Sequence, residues 1–313
     1  MDNQKDKCPT IGIPRALLYH RFETLWKTYF ETLGVTIMVS PPTNREILES
    51  GAALAIDETC LSAKIYLGHV QTLIGKCDYI FIPRYSNLGR QEAFCTRFEG
   101  IYDQTRNIFR ACDQKFISCN VDVRKKCTEA EAYAQLGQSL GFSVKEARRA
   151  YEAAVKADAK EWKARVQAQE EAYKKPGMKI LIVGHSYVVE DRYIGKPITD
   201  YLERIGVVPL RADITNRSAA LQAEKDFSPT CRWLMSRELI GSVFQQKEKV
   251  DGVILLSAFP CGPDSMVNEL LTRRIKDVPI LNLVLDAQSG TAGVETRLES
   301  FIDIIRFKEG EMV

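Results

Sequence analysis

Tyr29-Phe30-Glu31-Thr32-Leu33-Gly34-Val35 and Tyr201-Leu202-Glu203-Arg204-Ile205-Gly206-Val207 are two versions of one joint. In each, a helical pattern is stopped by glycine, which closes helices in the left-handed conformation, and an apolar run of strand length follows. Outward from the first copy lie apolar runs at 11–14, 35–40, 79–83 and 116–121, with a helical pattern over 17–33. Around the second copy the order restarts, with runs at 178–183, 207–210, 252–257 and 279–285 and a helix from about Pro197 to Ile205. Strands alternating with helices define an α/β fold with parallel sheets. Two α/β lobes follow, whether the joint marks a duplication or the convergence common to α/β proteins.

Between the copies, Thr128 with Glu131 and Ser143 with Glu146 form two capping-box patterns, each starting a helix. The second pattern continues through Ala-, Glu- and Lys-rich sequence to Pro176-Gly177, with Tyr151, Val155, Trp162 and Val166 at helical spacing as a packing stripe. Its charges read as a solvated face. The expected division is 1–127 for an N-terminal α/β lobe, 128–176 for a helical linker and 177–313 for a C-terminal α/β lobe.

A length of 313 residues suits two domains, and 45% hydrophobic with 27% charged residues marks a globular chain. The net charge of +2, without a Lys/Arg run or a basic and aromatic stripe, argues against nucleic acid. The polar start Met1-Asp2-Asn3-Gln4-Lys5 offers no signal-type apolar region, and no apolar run approaches the roughly 18 residues of a membrane span. A cytoplasmic protein without membrane association is therefore expected. Nine cysteines, an odd number, argue for reduced thiols rather than a disulfide framework. No CxxC pair occurs, so any metal site is assembled by the fold.

In open parallel sheets ligands bind beyond the carboxyl ends of the strands. Three loops there carry chemistry. Strand 252–257 runs into Ala258-Phe259-Pro260-Cys261-Gly262-Pro263-Asp264-Ser265; strand 79–83 leads into Arg84-Tyr85-Ser86-Asn87-Leu88-Gly89 and on to Cys95; a third loop holds Asp57-Glu58-Thr59-Cys60, followed by Lys64 and Gly68-His69. Cys60 and Cys95 thus fall on one lobe and Cys261 on the other, with the inter-lobe cleft as the expected meeting place. Three thiolates there select zinc or iron–sulfur over hard cations and leave a coordination position open. The alternative is that each cysteine is a small buried hydrophobe, the reading adopted for Cys8, Cys77 and Cys231.

At these residues the chain resembles the 2-hydroxyacyl-CoA dehydratase subunit family, and within it most closely the acyl-CoA dehydratase activase-related branch. The resemblance rests on Phe259-Pro260-Cys261-Gly262-Pro263-Asp264-Ser265, Pro279-Ile280-Leu281-Asn282-Leu283-Val284-Leu285-Asp286 and Ala292-Gly293-Val294-Glu295-Thr296-Arg297-Leu298-Glu299-Ser300-Phe301. In the first lobe it rests on Gly12-Ile13-Pro14-Arg15-Ala16-Leu17, Asp57-Glu58-Thr59-Cys60 with Lys64 and Gly68-His69, and Phe81-Ile82-Pro83-Arg84. It implies a pair of flavodoxin-like or Rossmann-like lobes with a four-iron four-sulfur (4Fe-4S) cluster held by three cysteines, here Cys60, Cys95 and Cys261, or a double-cubane 8Fe-9S cluster in a dimer. It implies as partner an ATP-dependent activator ATPase with its own iron–sulfur cluster, delivering low-potential electrons for reduction or dehydration of a small-molecule or acyl-CoA substrate. A homo- or heterodimer is expected. Two departures stand out: relatives often carry proline near the first two ligands, where this chain has Cys60-Leu61-Ser62-Ala63-Lys64 and Cys95-Thr96-Arg97. Cys112, Cys119 and Cys127 are alternatives to Cys95.

His69 can donate to a cluster sulfur or protonate a substrate, or be a core histidine. His185, in Gly184-His185-Ser186-Tyr187 at the end of a strand, faces the same choice, and His20 reads as structural. Arg15, Lys64 and Arg84 supply positive charge to an anionic cluster or grip a CoA phosphate or carboxylate, unless they form surface ion pairs. Asp264 and Ser265 read as caps of the helix that follows them. Three functions remain: a redox enzyme component, an electron-transfer or scaffold subunit paired with a catalytic one, and a cluster-free cleft binder.

Overall fold

The computed structural model describes residues 9–228, 231–287 and 291–309. They divide into two compact units. The first holds the described residues up to Asp57 together with Ala63–Trp162, and the second holds Glu58–Ser62 and the described residues from Lys163 onward.

In the first unit, β1 (Thr10–Ile13), β2 (Thr36–Val39), β3 (Tyr79–Phe81) and, after β4 (Arg84–Asn87), β5 (Lys115–Ile117) build the main sheet in the order β2-β1-β3-β5, every pair parallel. A smaller parallel pair joins β4 to β6 (Asn120–Asp122). The second unit contains β7 (Lys179–Val183), β8 (Val208–Arg211), β9 (Gly252–Ala258) and β10 (Ile280–Leu285), parallel in the order β10-β9-β7-β8. Counted within its own unit, each main sheet has the order second, first, third, fourth. This is the start of the flavodoxin-like winding, and it puts the switch point at the carboxyl ends of the first and third strands.

The repeated joint is realised identically in both units. Gly34 N–H donates to the Glu31 carbonyl (2.9 Å) and Val35 N–H to Phe30 (3.0 Å); Gly206 donates to Glu203 (3.1 Å) and Val207 to Leu202 (2.9 Å). Both are Schellman closures, and both glycines take positive φ, +75° and +79°. An added Cβ meets no atom at either site, so the cost of alanine there is conformational. Gly34→Ala and Gly206→Ala are each expected to lower stability by roughly 1–2 kcal/mol, read from urea unfolding; a loss at only one joint would show that the two closures are not equivalent.

The stretch 84–89, expected as a loop, begins as strand β4. Pro83 has no N–H to donate and interrupts the ladder, while Ile82 N–H to the Ile117 carbonyl and Arg84 N–H to Cys119, both 2.8 Å, carry the pairing past it. Beyond the proline, Tyr85 (0% exposed) and Asn87 (3%) turn inward on alternate positions.

Both capping boxes form: Glu131 accepts from Thr128 N–H at 2.8 Å, and Glu146 accepts from Ser143 N–H at 2.8 Å. The second box opens the helix Val144–Tyr173, and the boundary between units falls inside this helix, after Trp162. Its buried stripe is Ala147, Ala150 and Ala154 rather than the larger residues expected from sequence, and Val155 is exposed. Small residues prevail because the helix Glu129–Ser139 lies close: a Cβ on Gly137 would stand 2.4 Å from that of Ala147. Tyr151 still packs, stacked on Tyr133. Past Trp162 the helix belongs to the second unit, where Gln169 accepts from Arg211 N–H (2.9 Å) and donates to the Arg211 and Ile214 carbonyls.

Candidate functional site

The second unit gathers three of the residues singled out from sequence. Glu58–Ser62, distant in sequence from the rest of this unit, is held in it by the Leu61 N–H, which donates to the Phe259 carbonyl at 2.9 Å. Cys60 therefore lies against the turn after β9 that carries Cys261, and its charge bears on the Cys261 thiol. Cys261 is the N-cap of the helix Gly262–Arg274, and its carbonyl accepts from Ser265 N–H and Oγ. Burial, reinforced by the neighbouring Asp264 carboxylate, pushes this thiol well above its ordinary range.

Asp264, read from sequence as a cap, takes a different place. It is not a cap: it sits inside the helix, 6% exposed, and its Oδ1 lies 2.9 Å from His185 Nε2. Its other oxygen, Oδ2, is buried without a hydrogen-bond partner. Burial alone pushes this carboxyl up, yet the His185 imidazole, together with the Cys261 thiol, holds it below the ordinary carboxylate range. The aspartate comes three residues after Cys261, a spacing indistinguishable from a cap; only the position of His185 separates the two roles. His185 follows β7 as N-cap of the short helix Ser186–Val189, is 5% exposed and stacks on Tyr187. The ends of β7 and β9, first and third strands of this unit, thus deliver a histidine, an aspartate and a cysteine to one place.

The first unit arranges its residues differently. His69 is fully buried on the helix Leu61–Leu73, with Nδ1 at 2.8 Å from Ser40 Oγ and Nε2 at 2.9 Å from Thr43 Oγ1. Burial, then the charges of His20 and Arg15, push its pKa down to about 3. A neutral imidazole with one hydroxyl at each nitrogen joins its helix to the loop after β2. Ser40 Oγ also accepts the Arg15 N–H at 2.8 Å, which fixes the loop after β1, where Leu17 takes a left-handed φ of +51°. The Arg15 guanidinium rests 5.9 Å from the Tyr19 ring centroid. Arg84 pairs with Asp103 at 2.7 Å and lies over Tyr102, and Lys64 Nζ donates to the Asp57 carbonyl at 3.0 Å within the Cys60 loop.

Cys95 is the N-cap of the helix Thr96–Ile108. Cys60 immediately precedes the helix Leu61–Leu73 and Cys261 caps its own helix, so each of the three cysteines stands at the positive end of a helix dipole, an effect that burial and the Asp264 carboxylate outweigh at Cys261. The other cysteines differ. Cys119 is 1% exposed with its thiol pushed up by burial; Cys77 donates to the Leu73 carbonyl (3.6 Å) and fills the space that a Cβ on Gly12 would need; Cys231 packs on the second unit's core. Cys112 is exposed and Cys127 half-buried. Cys8 lies outside the described residues. Among the described residues no group of three or more His, Cys, Asp or Glu side chains is gathered for a metal ion, and no helix is long and apolar enough to cross a membrane. The soft pair Cys60 and Cys261 fits two ligands of a thiolate-bound centre.

The family model described as CoA enzyme activase uncharacterised domain matches residues 10–214, more than half of the chain, and the chain belongs to this family. The match includes Cys60 and Cys95 and ends before Cys261; it reaches the activase-related branch of the resemblance and not the dehydratase subunit. No curated protein matches the chain.

Proposed function

We propose that this chain is an iron–sulfur component of a coenzyme A enzyme system, accepting low-potential electrons from an ATP-hydrolysing activator and passing them to a bound substrate. The observation that carries the reading is the seating of Cys60 beside Cys261, each at the start of a helix, within one unit. Cys60 and Cys261 supply two of the three thiolates, and Cys95 is assigned as the third from its own N-cap position. When bound, a 4Fe-4S cluster stores and transfers single electrons at low potential. The chain's part is to present the thiolates at helix N-termini, to hold His185 and Asp264 in one orientation beside Cys261, and to keep His69 neutral.

A second reading is favoured by the family's description. A family described as a CoA enzyme activase domain suits an electron-transfer or scaffold subunit pairing with a separate catalytic chain. Substrate-dependent change in the cluster's spectrum supports the first reading, and its absence supports the second.

Both are tested by anaerobic purification and determination of iron, acid-labile sulfide and zinc in wild type, Cys60→Ala, Cys95→Ala and Cys261→Ala. About four irons and four sulfides per chain are expected in wild type, with loss in each variant; about eight irons would indicate the double cubane. No iron after anaerobic reconstitution, or iron indifferent to all three substitutions, would overturn the proposal.

A further inference from the structure

We propose that in the metal-free chain Cys60 and Cys261 form a reversible thiol–disulfide pair, which clips Glu58–Ser62 onto the turn after β9 when a small-molecule disulfide is the oxidant. The inference uses the cysteine pair of the proposed function but stands on its geometry alone, whether or not a cluster binds.

The Leu61–Phe259 hydrogen bond of 2.9 Å fixes the two backbones together one residue from Cys60 and two from Cys261. This is the neighbourhood in which a disulfide, spanning roughly 4.4–6.8 Å between Cα atoms, closes by local adjustment. Both cysteines are half-buried, so a dissolved oxidant reaches them, whereas Cys119 is sealed in the first unit and Cys231 is packed on the core of the second. A covalent link here would hold the unit's one segment from the early chain to the start of the helix bearing His185's partner, Asp264, and would remove both thiolates from metal binding.

The exchange balances. One cysteine thiolate attacks a sulfur of the oxidant RSSR, forming a mixed disulfide and releasing RS⁻. The second cysteine sulfur then displaces the other RS⁻, closing the Cys60–Cys261 bond. The two protons of the cysteine thiols end on two RSH molecules; the cysteine pair is oxidised by two electrons and the oxidant reduced by two.

The full chain is stripped of metal with a chelator under reducing conditions, desalted, and incubated with oxidised glutathione before non-reducing peptide mass mapping. The expected product has lost two hydrogens, about 2 Da, through a cross-linked peptide pair containing Cys60 and Cys261. Cys60→Ser and Cys261→Ser each remove that link and Cys77→Ser leaves it. Glutathione adducts on both cysteines without a link, or a dominant link to any other cysteine, would overturn the inference in wild type, with no variant required. Failure of iron binding with the link present would instead remove the proposed function and leave this pair standing.

Discussion

Asp264→Ala is expected to destabilise the second unit by about 1.5–3 kcal/mol, the usual result of removing the ionised partner from a buried hydrogen bond. The substitution leaves His185 Nε2 without its 2.9 Å acceptor in a site where both side chains are less than a tenth exposed. It also removes the carboxylate beside Cys261. Asp264→Asn keeps an acceptor for His185 but loses the charge, so a smaller loss is expected. Urea unfolding at neutral pH measures both. Equal stability of wild type and Asp264→Ala would show that the pair contributes nothing. The pH dependence has a definite sign. A carboxyl held below its ordinary range contributes stability above the unfolded value of about 3.9, and this is lost as pH falls through the lower folded value. This group's contribution is therefore constant at neutral pH and disappears only in strong acid.

His69 acts over a different window and with the larger pH effect. Its native pKa of about 3 lies below the ordinary 6.5, so between these values the unfolded chain binds a proton that the folded chain refuses. Stability is unaffected above about pH 6.5 and declines by about 1.4 kcal/mol per unit as pH falls toward 3. Going from pH 6.5 to 4.5 is thus expected to cost roughly 2 kcal/mol from this one residue. His69→Leu removes the titration and takes one buried hydrogen bond from each of the Ser40 and Thr43 hydroxyls, at a cost of about 1–3 kcal/mol at pH 7. Wild type and variant should therefore converge in acid. The check is the urea midpoint of each at pH 7 and pH 4.5; parallel losses in the two proteins would mean that the acid sensitivity arises elsewhere.

These expectations separate the two histidines that sequence placed in one role. His69 lies on the helix that follows Cys60, and His185 follows strand β7. In the structure His69 is a neutral strut between hydroxyls, and His185 is paired with a carboxylate next to Cys261. Nothing local distinguishes them, because the difference lies in what the other strand ends bring: Ser40 and Thr43 follow β2 in one case, and Asp264 follows β9 in the other.

Cys60 shows the same limit from another side. Its sequence neighbours lie in the first unit, yet Glu58–Ser62 belongs to the second. A backbone hydrogen bond from Leu61, which leaves no trace in side-chain identity, decides this. Arg84 reads as a loop cation, but alternation of buried Tyr85 and Asn87 makes the segment a strand and the arginine the partner of Asp103.

What the sequence determined by itself was the α/β class, the doubled parallel winding, the two glycine-closed joints and both capping boxes. Each of these depends on residues within one or two turns of one another, where periodicity, glycine and an acceptor three residues along fix the backbone locally. Tertiary structure alone decided which long-range partners meet: Asp264 with His185, His69 with Ser40 and Thr43, Glu58–Ser62 with the turn after β9, and the alanine stripe with Gly137. Those contacts join residues tens to hundreds of positions apart, and their free energies come from burial and complementary charge once the strands are ordered. No pattern within a single segment encodes that order.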